Sequence, residues 1–452
     1  MVEAIIRLHT KMLLGLGLLI LPSGRLVTHH ILDADTQAPG MLDLPELKLE
    51  FQALTQQQAL QTQEPLTPPC QVPVLAAPEI RNAQRPMLNR DLTAINLGAR
   101  LKPYFGTLHS HTGESDGRGT VAEAYQFARD VAHLDFFAIT DHPEYWLFSK
   151  ERRYEAQIQI AEAAARPDFV TLYGFEYSHP MYGHYTVLNT PKVHHAFEDY
   201  NLHDFYAWLK RPEQQSALVM FAHPGFHDYR IATEFDQFAL DPELVQRFVG
   251  VETIHWSEFL RYVRGYFGSI PYIDEANQLG WWLGAMGSQD VHYADWGTRD
   301  PTRVVMLMPE LSRAELLKAL KARHFYATTN RHIHFAVNAQ LRDQSWAVMG
   351  DILNEANLPK DKITIKARYY DGDCAEQPYR MEAVMGGRVV ASFDFPATGE
   401  NQFPFAGEFT LQLPLNRDLM PRRFGLYFRL YQGKDRQTYT QSSPLFFDLR
   451  GG

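Results

Sequence analysis

The chain has 452 residues, enough for two or three domains of ordinary size. Hydrophobic residues make up 45% and charged residues 21%, which fits a soluble globular protein able to bury a core. The formal net charge of -10, with no dense basic run, argues against a nucleic-acid-binding surface and leaves an anionic substrate in need of local cations or metal ions.

Near the N-terminus, Arg7 and Lys11 precede MLLGLGLLIL, Met12 to Leu21. That apolar run is too short to span a bilayer comfortably, so no stable membrane span is expected. With the following Pro-Ser-Gly it reads as a signal-like segment over residues 1–26, and predicts export to the periplasm or beyond. The alternative is a short buried element of a cytoplasmic protein. Residues 27–101 read as an irregular arm or linker, with Thr55 to Pro78 rich in Gln and Pro. Cys70 and Cys374 are too few for a disulfide framework or a thiolate metal site; they read as free thiols, the alternative being one bridge between them.

From Lys102 to His334 apolar strand-like runs alternate with helical periodicity. The strand YFGTLH is followed by a helix over TVAEAYQFARDVAHL, then by DFFAITDH and a helix through RRYEAQIQIAEAAA. FVTLYGFEYS and GHYTVLNT come next, with a helix near FYAWLK. SALVMFAHPG, FVGVETIHW, WWLGAMGSQDVH and RVVMLM supply further strands, and the helix SRAELLKALKARH closes the series. Such alternation predicts a mostly parallel α/β sheet with crossover helices, closed or nearly closed into a barrel. Beyond residue 335 the helices stop; ITIKARYY, YRMEAVMGG, RVVASFDF, GEFTLQLPL, RRFGLYFRLYQ and SSPLFFDLR predict a small antiparallel β-sandwich over 335–452.

The strand-like runs of the 102–334 region end in metal-ligand types. His109 and His111 follow the first, Asp141 and His142 the second, and Glu176 the third. His184 opens GHYTVLNT, His223 closes VMFAH, and Asp290 and His292 close GAMGSQDVH. Strand side chains alternate, so residues two apart share a face, and the C-terminal ends of barrel strands converge on one mouth. Imidazole plus carboxylate without thiolate suits Zn, Mn or Fe better than Ca or Mg.

In this order HSH, SDG, TDH, GFE, GHYTVL, FAHPG and SQDVH resemble the PHP (polymerase and histidinol phosphatase) superfamily, over about half of the chain. The resemblance implies a distorted (β/α)7 barrel holding two or three divalent metals. Carried over, His109, His111, Glu176 and Asp290 are the implied first set. Glu176 bridges to a second with His184 and His223, and Asp116, His142 and His292 form the third. GFE, GHYTVL and TTNRHI, with the β-rich tail, look most like the carbaryl-hydrolase-like (CehA/McbA-type) branch. Thr107 departs from the pattern, standing where many relatives have aspartate.

Two metals about 3.5–4 Å apart can share a hydroxide near neutral pH. The implied reaction is attack of that hydroxide on phosphorus or on a carbonyl carbon, without a Ser-His-Asp triad or P-loop. Asp141 is a candidate for orienting His142 or moving a proton, or for a turn hydrogen bond. His179 and Arg299 are candidate catalytic groups, and Arg118, His227 and His255 candidate substrate contacts. The arginines could meet phosphate oxygens or make ordinary surface ion pairs. Tyr145, Trp146, Tyr182, Trp256, Tyr293 and Trp296 follow the motifs, and either wall a pocket or pack in the core. The favoured substrate is a small phosphate mono- or diester. The alternatives are a carbamate or carboxylic ester, or a non-catalytic metal-binding module.

Overall fold

The computed structural model describes residues 47–53, 101–225, 234–255, 271–371, 377–395, 406–418, 420–433 and 438–450. The signal-like segment, the Gln- and Pro-rich stretch, both cysteines, His227 and Trp256 lie outside the described residues. In chain order the first elements are β1 (Leu49–Ala53), β2 (Lys102–Thr107), α1 (Val121–Asp130), β3 (Phe136–Ile139), α2 (Lys150–Ala164), β4 (Val170–His179) and β5 (Gly183–Leu188). They are followed by α3 (Leu202–Leu209), β6 (Leu218–Ala222), β7 (Phe248–His255), α4 (Tyr272–Leu279), β8 (Gly284–Ser288), β9 (Arg303–Met308), α5 (Arg313–Ala322) and β10 (Phe325–Thr328). Among the described residues no helix is long and apolar enough to cross a membrane.

The sheet is mixed rather than mostly parallel. β2, β3 and β4 run parallel, as do β6, β7 and β8, but β5 is antiparallel to both β4 and β6, and β9 is antiparallel to β2. The reason at β5 is the connection: only residues 180–182 separate it from β4, a turn and not a crossover. Helix α4 was not expected from the sequence; it is short, starts after Pro271 and stops at Gly280, whose φ of 117° ends it in the left-handed region.

One face of every strand from β2 to β10 meets in a single apolar cluster. It includes Tyr104, Phe136, Leu172, Leu188, Met220, Val249, Met286, Met306 and Phe325. The sheet therefore curls around a filled interior. Among the described residues β8 pairs with β7 alone, so closure of the expected barrel by strand pairing is not seen. Against β9 it is stacked face-on: a Cβ at Gly287 would lie 2.2 Å from Arg303 O. Closure is confined to the mouth, where Ser110 and Val291 form an isolated parallel bridge.

The C-terminal region comprises β11 (Ile333–Gln340), β12 (Trp346–Val348), β13 (Ile352–Asn354), β14 (Lys362–Asp371), β15 (Pro378–Met385), β16 (Arg388–Asp394), β17 (Ala406–Pro414), β18 (Arg423–Gln432), β19 (Thr438–Ser442) and β20 (Leu445–Asp448). One layer has the order β1-β17-β14-β11-β12. The other, containing β13, β20, β18 and β19, continues through β10 into the curled sheet, so one 15-stranded sheet serves both regions. Strand β1 lies within the stretch expected to be an irregular arm. It pairs antiparallel with β17, Leu49 opposite Leu411. Phe51 packs its ring 4.9–5.2 Å from those of Phe393, Phe395 and Phe409. Removing a large aromatic from such a cluster loses buried area and ring contacts together. Phe51→Ala should lower the unfolding free energy by about 2–3 kcal/mol, read as an earlier midpoint in urea at unchanged slope.

Candidate metal centre

The inward face of β4 reads Val170, Leu172, Gly174, Glu176 and Ser178, apolar at the floor and polar at the mouth. Glu176 is buried there with 1% exposure, and its two oxygens face two groups of histidines. Oε1 lies 2.9 Å from both His184 Nδ1 and His223 Nε2. Oε2 lies 3.0 Å from His109 Nε2, 3.1 Å from His111 Nε2 and 3.4 Å from His142 Nε2. Asp290 Oδ1 joins the second cluster, 3.3 Å from His109 Nε2 and 2.9 Å from His111 Nε2. A shallower group completes the mouth: Asp116 lies 3.3 Å from His292, and 3.8 Å from both His142 and His111.

Local structure explains these positions. Ser110 is held in the bridge to Val291, which puts His109 and His111 on one side of an extended segment. The Trp296 indole N–H donates to His111 O at 2.9 Å and fixes that backbone. Asp141 is buried and accepts from Thr112 N, Thr112 Oγ1 and Ser115 Oγ at 2.6–2.7 Å, so it pins the turn that carries Asp116. In that turn a Cβ at Gly117 would meet His111 C at 2.7 Å. Pro143 biases His142 toward its extended backbone, and Ser178 Oγ sits 2.6 Å from His142 Nδ1. His223 and Asp290 have φ of 27° and 45°, left-handed backbone just past the ends of β6 and β8. Such backbone costs on the order of 1–3 kcal/mol and is concentrated at functional sites.

The residues thus fall into three groups whose donor atoms lie within 4.8 Å of one another: His109, His111, Glu176 and Asp290; Glu176, His184 and His223; His111, Asp116, His142 and His292. These are the three sets implied by the resemblance, with His111 added to the third. The test of fit is the donor spacing. Metal bonds of about 2.0–2.1 Å place neighbouring donors about 2.9–3.4 Å apart in six- to fourfold coordination. The five measured edges of the first group span 2.9–3.3 Å. Asp290 Oδ1 and His111 Nδ1 are also buried without a hydrogen bond among the described residues. The donor set fits divalent ions.

Electrostatics point the same way. Burial would push His109 and His111 down, but Glu176 and Asp290 outweigh it, raising His109 well above its ordinary value and His111 to about 10. His184 and His292 are raised against burial by Glu176 and Asp116. Against the opposing effect of burial, surrounding histidines hold Glu176 and Asp290 well below the carboxylate range and lower Asp116. Burial lowers His142 to about 4 and also lowers His223. Without a cation, the raised histidines supply the positive charge that offsets the buried carboxylates.

Other expected site residues lie elsewhere. His179 is on the face of β4 opposite Glu176; its Nδ1 accepts from Met181 N and Tyr182 N at 3.1 and 3.2 Å. His255 stands behind Asp290, Nε2 3.4 Å from Oδ2, buried at 7% exposure rather than open to a substrate. Arg118 and Arg299 both lie over the Tyr293 ring, at 5.0 and 3.9 Å, and Arg299 also pairs with Asp295 at 2.9 Å. Trp146 and Trp296 are core residues, whereas Tyr145 is half exposed with its ring 6.1 Å from that of His142. Sequence reasoning missed Glu252, whose oxygens contact His109 Nδ1 and His223 N, each at 2.8 Å. Its signal was a carboxylate inside the strand-like run FVGVETIHW, three residues before the histidine of that run.

No protein-family profile matches the chain, and no curated protein does. Among solved structures, a two-domain protein from Bacteroides vulgatus ATCC 8482 containing a predicted PHP-like metal-dependent phosphoesterase is similar at 14% identity and TM-score 0.41, over 78% of this chain and 97% of that one. Endonuclease Q is similar at 11% identity and TM-score 0.28, over 48% of this chain and 56% of its own. It is represented by the Pyrococcus furiosus enzyme and by a complex with a 27-mer duplex substrate bearing an abasic lesion. Overlaps of this extent leave activity to be argued from the site. The exclusion of nucleic acid drawn from composition is nevertheless withdrawn. The physical reason is that net charge sums the whole surface, whereas a phosphate meets only the local field.

The proton-filled centre makes metal affinity depend on pH. His109 and His111, both raised, must lose protons when an ion binds, so affinity should tighten as pH rises from 7 toward about 10, the value of His111. Zinc calorimetry at pH 7 in buffers of different ionisation enthalpy should register proton release; equal heats in all buffers would refute it.

Proposed function

We propose that the protein is a metal-dependent hydrolase, with phosphate esters as its substrate class. The observation that carries the first part is Glu176, one buried carboxylate shared by two groups of imidazoles at 2.9–3.1 Å. Two divalent ions held there would supply Lewis acidity and lower the pKa of a water molecule toward neutrality. His109, His111 and Asp290 would hold one ion, His184 and His223 the other. Asp116, His142 and His292, the more exposed group, would take a third or leave that position to the substrate.

Support for an anionic substrate comes from the rim. Arg118 and Arg299 stack on Tyr293, the residue after His292, and bring two guanidinium groups to the side of the shallow group. Stacking on the ring restricts both side chains, which reduces the entropy lost when they meet phosphate oxygens. Tyr145, half exposed beside His142, favours the second reading, an aryl carbamate or carboxylic ester lying against that ring.

Zinc-, manganese- or iron-loaded protein assayed with p-nitrophenyl phosphate, a phosphodiester and an aryl carbamate separates these readings. Turnover of the phosphate substrates is expected. Turnover of the carbamate alone would select the second reading, and silence on all three with every metal would remove both. Glu176→Gln should abolish turnover and lower occupancy of both groups it serves. Arg118→Ala and Arg299→Ala should each raise KM for the phosphate substrate roughly tenfold, with kcat changed far less.

A further inference from the structure

We infer that Glu252 is a positioning residue that fixes the tautomer of His109 and ties the two Glu176-linked groups together; this rests on the metal-centre reading above. Glu252 is buried at 5% exposure on β7 and makes one contact to each group. Its Oε1 lies 2.8 Å from His109 Nδ1, and its Oε2 accepts the His223 backbone N–H at 2.8 Å.

The first contact decides which nitrogen of His109 is available. A carboxylate oxygen only accepts, so His109 must donate from Nδ1. The proton is then on Nδ1, and the lone pair of the neutral ring is on Nε2. That is the nitrogen facing His111 Nε2, Glu176 Oε2 and Asp290 Oδ1 at 3.2, 3.0 and 3.3 Å. The second contact holds the amide of His223, where the chain takes its left-handed φ of 27°. One rigid carboxylate therefore sets a ring in one group and the backbone in the other.

The strand is shaped for this. Between Glu252 and Ile254 the β7–β8 register shifts, the mark of a β-bulge. Residues three apart in a regular strand face opposite sides. Across the bulge Glu252 and His255 turn the same way, so His255 Nε2 reaches within 3.8 Å of Glu252 Oε2 and 3.4 Å of Asp290 Oδ2.

Glu252→Gln is the informative substitution because it keeps the shape and adds a donor. The His223 amide can only donate, so the Gln oxygen must accept from it. The Gln NH2 then faces His109 Nδ1 and moves the ring proton to Nε2, which removes the donor from the first group. The measurements are zinc stoichiometry and affinity by calorimetry and metal analysis, unfolding by circular dichroism, and imidazole nitrogen NMR. The variant should unfold cooperatively. Its His109 signal should cease to respond to zinc, with at least a tenfold loss of affinity for one ion. The His184 and His223 signals should still respond.

Wild-type zinc affinity at every site in the variant, or equal loss at both, would overturn the assignment. If the variant does not fold, the wild type still decides. Zinc-loaded protein must show His109 protonated at Nδ1, with the signal identified by its absence in His109→Gln. Protonation at Nε2 would refute the inference. Failure of the wild type to bind zinc at all would instead refute the metal-centre reading.

Discussion

The mouth of the curled sheet is organised by a buried carboxylate that cannot be left alone. Glu176 is taken out of water at the end of an apolar strand face. An isolated ionised carboxylate in such a place costs several kcal/mol or more unless positive charge surrounds it. Five histidines approach its two oxygens. The histidines in turn need orientation, which explains the outer ring of Glu252, Ser178 and Asp141. Each of these contacts either the far side of a histidine or the backbone that carries one.

Much of this centre was legible in the sequence because strand ends are legible. Short apolar runs such as VMFA and GFE identify themselves, and a polar ligand type just past each run marks the rim. What was not legible depends on pairing partners. The antiparallel course of β5, the face-on contact of β8 with β9 and the bulge at β7 follow from which strands lie side by side. No local pattern encodes that. His179 is a different case, one that a local pattern does decide. It sits three residues after Glu176, and strand alternation alone places it on the other face. The fold class was legible as strands and helices in alternation, but closure was not, since one bridge at Ser110 stands where a paired strand was expected.

The rim and the floor of the site use aromatic groups differently. Trp146 and Trp296 are buried, and their indole N–H groups support the backbone at Glu114 and His111. Tyr145 and Tyr293 remain accessible on either side of the shallow group, one beside an imidazole and one beneath two guanidiniums. Residues adjacent in sequence, such as Tyr145 and Trp146, thus divide between an exposed ring beside the centre and a buried ring that supports its backbone.

Strand β1 sets an order of assembly. Among the described residues every donor of the centre lies between His109 and His292, on or beside strands that pair with one another or with β9. The edge on which β1 docks belongs to Ala406–Pro414. During synthesis the first described strand therefore waits for one of the last, with Phe51 exposed until its three aromatic partners have been made. Loop closure over that span is slow but costs little more free energy than over a shorter one. The donor groups can therefore come together on the earlier-made part of the chain before the outer layer of the sandwich is sealed.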